Sequence, residues 1–152
     1  MNPYTHYQQN QILSASPERL LLMLYDGAIK FTCQAIHGFE EDNLALAHHG
    51  IKRALAIITE FANTLNHEIG GEIAENLDAL YSFMIRELTL GNLRRDVNKL
   101  RTVEGLLREL RDTWQEAIEI NNREGTGIIA NEGISTTAAV EPNGYVPLMV
   151  SR

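Results

Sequence analysis

The residues of this sequence that could bind a metal are its five histidines and its many carboxylates. In a helical bundle, a carboxylate-bridged pair of metal ions needs Glu-x-x-His pairs, because residues three apart project from one side of a helix. No glutamate here is followed three positions later by a histidine. His48 and His49 are adjacent, so on a helix they point about 100° apart. The spacing predicts solvent-facing histidines and disfavours a bundle metalloenzyme, an alternative that metal analysis would test.

The side chains that could act as nucleophile, acid or base are equally isolated. Cys33 is the single cysteine, so no disulfide can form within the chain. We expect a small buried apolar side chain there, without the electropositive setting that activates a thiol. Asp26 and Asp78 are expected to cap a helix, pair with a cation or face water. There is no phosphate-binding loop and no Gly-x-Ser-x-Gly turn. The sequence therefore predicts a protein that is not an enzyme and that needs no cofactor.

Net charge and hydropathy disfavour two further classes of protein, those that bind nucleic acid and those that insert into membranes. The formal net charge of −7 disfavours binding to nucleic acid or to acidic membranes, which needs a basic surface. The basic run near Arg94, Arg95 and Lys99 is interrupted by Asp96 and contains no aromatic residue. The first residues lack the features of a signal peptide, and no apolar run approaches the roughly 20 residues of a membrane span. We expect a cytoplasmic protein without membrane insertion.

Four helical segments must position whatever site exists. The first is predicted from Pro17 to Gly38, with Ser16 as N-cap and Pro17 at the first helical position. The second is predicted over 43–68, ended by Gly70 and Gly71. The third then runs from Glu72 to a break at Gly91, with a seam of apolar residues from Ile73 to Leu88. The fourth is predicted over 93–121, with a regular apolar seam from Leu93 to Ile118.

Short breaks between these segments imply antiparallel neighbours. We predict an all-α protein, an antiparallel up-down-up-down four-helix bundle over residues 17–121. An N-terminal arm covers residues 1–16, which carry no charged side chain, and a flexible tail rich in glycine covers residues 122–152. The fold follows from the pattern of apolar residues alone.

The helices carry more apolar side chains than four seams require. The surplus can widen the core, or it can line a groove on the exterior that fits an amphipathic partner helix. We expect Leu20, Leu24, Ala28 and Phe31 to be core residues. The residues expected to line the groove are Leu22, Tyr25, Ile29, Ile57, Phe61 and Tyr81. The arm, with Tyr4, Tyr7 and Ile12, is expected to shield such a groove in the absence of a partner.

These segments also carry a family likeness. The run YQQNQI that begins at Tyr7, the ASP at 15–17 and LLLMLYDGAIKF at 20–31 resemble the flagellin-specific flagellar export chaperones. GGEIAENLDALYSFMIREL at 70–88, NLRRD at 92–96 and VEGLLRELRDTWQEA at 103–117 continue the resemblance. The likeness covers about residues 4–120, and the tail departs from it.

The resemblance implies a cytoplasmic bundle without enzymatic activity. Such a chaperone binds the disordered C-terminal region of flagellin, prevents premature polymerisation and helps deliver flagellin to the flagellar export gate protein. It also implies that Tyr7 contacts the gate protein, with Tyr4 as a possible companion, and that Trp114 packs in the core. Three questions stay open: whether the client is another amphipathic helix bound by a generic adaptor, whether the tail covers a groove, and whether the chain forms a homodimer.

Overall fold

The structure, a computed structural model, describes residues 15–124. These residues form four helices: α1 (Pro17–Glu40), α2 (Leu44–Asn63), α3 (His67–Arg94) and α4 (Val97–Glu124). Each helix packs against two others, in the closed order α1, α2, α3, α4 and back to α1. The predicted all-α four-helix bundle is confirmed. Within the described residues, no helix is both long enough and apolar enough to cross a membrane.

The helix starts follow from polar side chains that bind free backbone amides. The Ser16 hydroxyl accepts a hydrogen bond from the Arg19 amide at 3.1 Å, and Pro17 follows at the first helical position. Asn43 caps α2 through the Leu46 amide in the same way. Asp42, just before this cap, has a φ of 59°, so the chain reverses there within three residues.

The connection between α2 and α3 differs from the prediction. The helix ends at Asn63, and Asn66 caps α3 by accepting a hydrogen bond from the Ile69 amide at 3.0 Å. The predicted boundary at Gly70 and Gly71 was therefore wrong. Gly71 instead forms a kink inside α3, with a φ of 52° that favours glycine.

The break predicted at Gly91 was also wrong, because α3 continues to Arg94 and ends where Arg95 adopts a left-handed conformation. Gly91 is buried in the helix, where an added Cβ would lie 3.2 Å from Leu100 Cδ2. Leu93, which was expected to open the seam of the fourth helix, belongs to the last turn of α3 and is 77% exposed. The α4 helix also extends to Glu124, three residues past the predicted end.

The tightest contact in the bundle joins α1 to α2. A Cβ on Gly50 would lie 2.5 Å from the backbone oxygen of Phe31, and a Cβ on Gly38 would lie 2.5 Å from the Ala47 amide nitrogen. Ala35 and Ala54 are fully buried beside them. Small residues therefore bring the two backbones together, and the larger side chains of the core lie toward α3 and α4.

Two glycine substitutions test this close contact. We expect Gly50→Ala to lower the free energy of unfolding by about 1–3 kcal/mol, because the added methyl group meets backbone that must shift. Gly105, inside α4, has no heavy atom within 4 Å of an added Cβ. Gly105→Ala is therefore the matched control and should raise the free energy of unfolding by about 1 kcal/mol through helix propensity. Urea denaturation followed by circular dichroism measures both, and equal effects would contradict the close packing.

Candidate functional site

One aromatic residue from each helix meets inside the bundle, in the half where α1 begins and α4 ends. The rings of Tyr25 from α1 and Phe61 from α2 stack with their centroids 4.4 Å apart. The Phe61 ring lies 5.5 Å from that of Tyr81 on α3. Trp114 of α4 reaches the same group through its indole nitrogen. We call these four residues the aromatic cluster.

Hydrogen bonds join the polar ends of the aromatic cluster. The hydroxyl oxygens of Tyr25 and Tyr81 lie 2.6 Å apart, so one hydroxyl donates to the other. Trp114 Nε1 donates to the Tyr25 hydroxyl oxygen at 3.2 Å. Both tyrosines are fully buried, and a buried hydroxyl without a partner would be costly. The Tyr25 hydroxyl therefore satisfies groups from two other helices.

Burial also keeps both hydroxyls protonated. It raises the pKa of Tyr25 well above its ordinary value of 10, because a phenolate would lose its hydration, and the hydrogen bonds from Tyr81 and Trp114 offset only part of this effect. The pKa of Tyr81 is raised by its own burial and by the neighbouring Tyr25. The cluster is therefore neutral throughout the physiological range of pH.

These positions correct the expected groove. Tyr25, Phe61, Tyr81 and Ile29 are 0%, 4%, 1% and 7% exposed, so they belong to the core and do not form an exterior wall. The physical reason is that these side chains fill the space between four helices, which a one-helix pattern does not show. Phe61→Asp would consequently disturb the aromatic stack and test folding, not partner binding.

Two of the expected groove residues do reach the surface. Ile57 and Leu22 are half-buried, and Ile57 packs at the edge of the core. The expectation that they contact a partner stays a prediction. Tyr4, Tyr7 and Ile12, for which arm and gate contacts were expected, lie outside the described residues.

The side of α1 that faces α2 carries half-buried apolar residues along its outer edge. Gly27 and Phe31 lie against α2, and residues three or four positions apart share one side of a helix. We call the resulting strip the outer α1–α2 seam; it consists of Leu20, Leu24, Gly27, Phe31, Leu46 and Ile57, of which the apolar side chains are half-buried. Leu20, Leu24 and Phe31 were expected in the core and are only half-buried, whereas Ala28 is fully buried as predicted. A Cβ on Gly27 would lie 3.4 Å from Ile57 Cδ1. Gly27 thus leaves the surface open beside Ile57.

Cations border the same seam. The guanidinium of Arg53 lies 5.2 Å from the centre of the Phe31 ring, and the ammonium of Lys30 lies 5.8 Å from it. Cations at these distances interact favourably with an aromatic face. The seam therefore combines apolar contacts with positive charge, although the chain as a whole is acidic.

Cys33 and Asp26, the candidate nucleophile and candidate acid or base, do not form a catalytic arrangement in the structure. Cys33 is half-buried, and both its burial and Glu104 raise the pKa of its thiol, although Arg108 lies 3.7 Å from the sulfur. Asp26 accepts a hydrogen bond from Arg111 Nε at 2.9 Å, so the expectation that it pairs with a cation is confirmed. Within residues 15–124, no group of three His, Cys, Asp or Glu side chains is arranged to hold a metal ion.

Sequence reasoning missed one exposed apolar group. Ile69 and Ile73 on α3 are 55% and 53% exposed, and Ile120 on α4 is 39% exposed. Ile73 was expected in the core seam of its helix. These side chains are exposed because the neighbouring helices do not cover them, which the periodicity of one helix does not show.

The fold defines the class of protein as a closed four-helix bundle with half-buried apolar seams on its exterior. Comparison with known protein families gives a match that covers most of the chain. The family described as flagellar protein FliS matches residues 1–121. The chain belongs to this family, as its resemblance to flagellar export chaperones predicted.

Individual relatives agree over most of their length. The flagellar secretion chaperone FliS of Bacillus subtilis is 40% identical over 131 residues, which cover 85% of this chain and 97% of the relative. The chaperone of the same name from Campylobacter jejuni is 34% identical over 121 residues, 80% and 92% of the two chains. That of Salmonella typhimurium is 37% identical over 109 residues, 71% and 81%. The protein is accordingly an export chaperone of the flagellum and not an enzyme.

The hydrogen bonds of the aromatic cluster predict unequal effects of two similar substitutions. Tyr25→Phe leaves the buried Tyr81 hydroxyl without its partner, so we expect a loss of about 1–3 kcal/mol in the free energy of unfolding. Tyr81→Phe should cost less, because Tyr25 keeps its hydrogen bond from Trp114. The double substitution should cost less than the sum of the two. Urea denaturation of the three variants checks this, and strict additivity would contradict the network.

The raised tyrosine pKa values predict sensitivity to alkali. Above about pH 10 the tyrosines of the unfolded chain release protons while Tyr25 and Tyr81 in the folded chain retain theirs, so the free energy of unfolding falls as pH rises. Tyr25→Phe/Tyr81→Phe should flatten this fall. Denaturation curves from about pH 8 to about pH 11 measure both slopes, and identical slopes would exclude the buried tyrosines as the cause.

Proposed function

We propose that this protein is a cytoplasmic chaperone for flagellin. It binds the C-terminal region of flagellin while that region is disordered, prevents premature polymerisation, and helps to deliver flagellin to the flagellar export gate protein. The observation that carries this proposal is membership of the FliS family over residues 1–121, with relatives named flagellar secretion chaperones. The resemblance to flagellin-specific chaperones supplies the identity of the client.

The outer α1–α2 seam suits a client that folds as it binds. An amphipathic helix that lies along the seam would bury its apolar face against Phe31 and Ile57 and bring carboxylates near Lys30 and Arg53. Such a client loses conformational entropy on binding, so a large contact area gives only moderate affinity. Moderate affinity is useful to a chaperone that must release its client for export.

The surface and the client can be tested together. Isothermal titration calorimetry with a peptide from the C-terminal region of flagellin should show binding to the full chain. Ile57→Asp should weaken this binding at least about tenfold, because it places a charge in the apolar contact. Circular dichroism should show that Ile57→Asp keeps the helical content, since Ile57 is only half-buried.

A matched control separates charge from position. Ser82 is exposed on α3, away from the outer α1–α2 seam, so Ser82→Asp should leave the affinity unchanged. Equal affinities for wild type and Ile57→Asp would exclude this seam as the client surface. Absence of peptide binding to the wild-type chain would exclude flagellin as the client and favour an adaptor for another amphipathic helix.

A further inference from the structure

Large exposed apolar side chains collect at the end of the bundle where α4 finishes. Three of them lie there, Ile69 and Ile73 near the start of α3 and Ile120 near the end of α4. The antiparallel arrangement of α3 and α4 brings these positions to the same level of the bundle. An apolar group of this kind on two neighbouring helices marks a contact surface.

An ion pair shows which side of α3 faces α4. Lys99 Nζ of α4 donates to Glu87 Oε1 of α3 at 3.4 Å. Residues seven apart share one side of a helix, so Leu80 and Ile73 follow Glu87 along the side of α3 that faces α4. Ile73 therefore lies at the junction of the two helices.

The same reasoning places Ile120. Leu106, Thr113 and Ile120 follow Lys99 at intervals of seven along α4, with a drift of about 20° per interval toward the outside. Leu106 is half-buried and packs at the edge of the core, whereas Ile120 is exposed. We call this strip the outer α3–α4 seam; it consists of Ile73, Leu80, Leu106 and Ile120.

We propose that the outer α3–α4 seam is the docking site for residues 145–150 of the same chain. This segment reads Tyr-Val-Pro-Leu-Met-Val and is the longest uncharged apolar run after Glu124. The α4 helix, one of the two that form the seam, ends at Glu124, one turn beyond Ile120. The segment that begins there is therefore tethered beside the surface that it covers.

The length of the tether is suited to this contact. About 20 residues separate Glu124 from Tyr145, and they span roughly 70 Å when fully extended. As a relaxed coil they span roughly 25 Å, which is shorter than the roughly 42 Å length of α4. A segment held within this range has a high effective concentration, so even a weak contact is largely occupied.

Two features favour this segment over the N-terminal arm. The arm joins α1, and α1 packs against α2 and α4 while α3 lies across the bundle from it. The family match also ends at residue 121, so residues 145–150 lie beyond what the family shares. The docking is thus a property of this chain, and it does not depend on the identity of the client.

Disulfide trapping in the full chain tests the docking. In a Cys33→Ser background, the pair Ile73→Cys and Leu148→Cys should form an intramolecular disulfide under mild oxidation. The control pair is Glu119→Cys and Leu148→Cys. Glu119 is exposed and closer to the start of the tether, but it lies away from the seam. Docking predicts that the Ile73 pair closes at least about tenfold faster than the control pair.

A third variant shows whether the apolar segment itself drives closure. Adding Tyr145→Asp to the Ile73 pair should slow closure to the rate of the Glu119 pair, with unchanged circular dichroism. Equal rates for the Ile73 and Glu119 pairs would overturn the proposal, because they would show a tether without a preferred site. Disulfides formed only between chains would also overturn it and would identify a second copy as the occupant of the seam.

Discussion

The bundle depends on a set of contacts centred on the Tyr25 hydroxyl. This oxygen lies 2.6 Å from the hydroxyl of Tyr81 and accepts a hydrogen bond from Trp114 Nε1, while the Tyr25 ring stacks on Phe61. Each of the four residues comes from a different helix. A change in the relative position of any helix would leave a buried polar group without a partner or open a gap beside an aromatic ring. The cluster thereby fixes the register of all four helices at once.

A second constraint acts on α1 and α2 alone. Gly38 and Gly50 allow the two backbones to approach so closely that no side chain larger than hydrogen fits at either position. This close contact covers the half of α1 that lies away from the aromatic cluster. Small residues therefore hold α1 against α2 in one half of the bundle, and the aromatic cluster holds the four helices together in the other half. Half-buried apolar side chains remain on the outer seams between the helices.

Those outer seams agree with the work of an export chaperone. Binding of an unfolded client needs an accessible apolar strip on a scaffold that does not itself rearrange. The outer α1–α2 seam and the outer α3–α4 seam are two such strips on different sides of one rigid core. In our proposals the first binds flagellin and the second binds the apolar end of the chain itself, so the bundle can hold two polypeptide segments without competition for one surface.

The number of helices, their approximate extents and the all-α class could be predicted from the sequence, because periodic apolar residues and capping side chains such as Ser16 are local signals. The family was also recognisable from ordered runs of residues. The roles of Gly71 and Gly91 inside α3 could not be predicted, because glycine is compatible with a kink, a buried helix contact or a stop, and only the packing of neighbours selects among these.

The sequence by itself thus determined the fold class and the kind of protein, whereas the tertiary structure decided which apolar residues are accessible. Tyr25, Phe61 and Tyr81 looked like surplus on single helices, but the four-helix arrangement gives them partners in the core. Ile73 looked like core and is exposed, because no other helix covers it at that end of the bundle. Exposure depends on what the other helices cover, and one helix's periodicity contains no information about that.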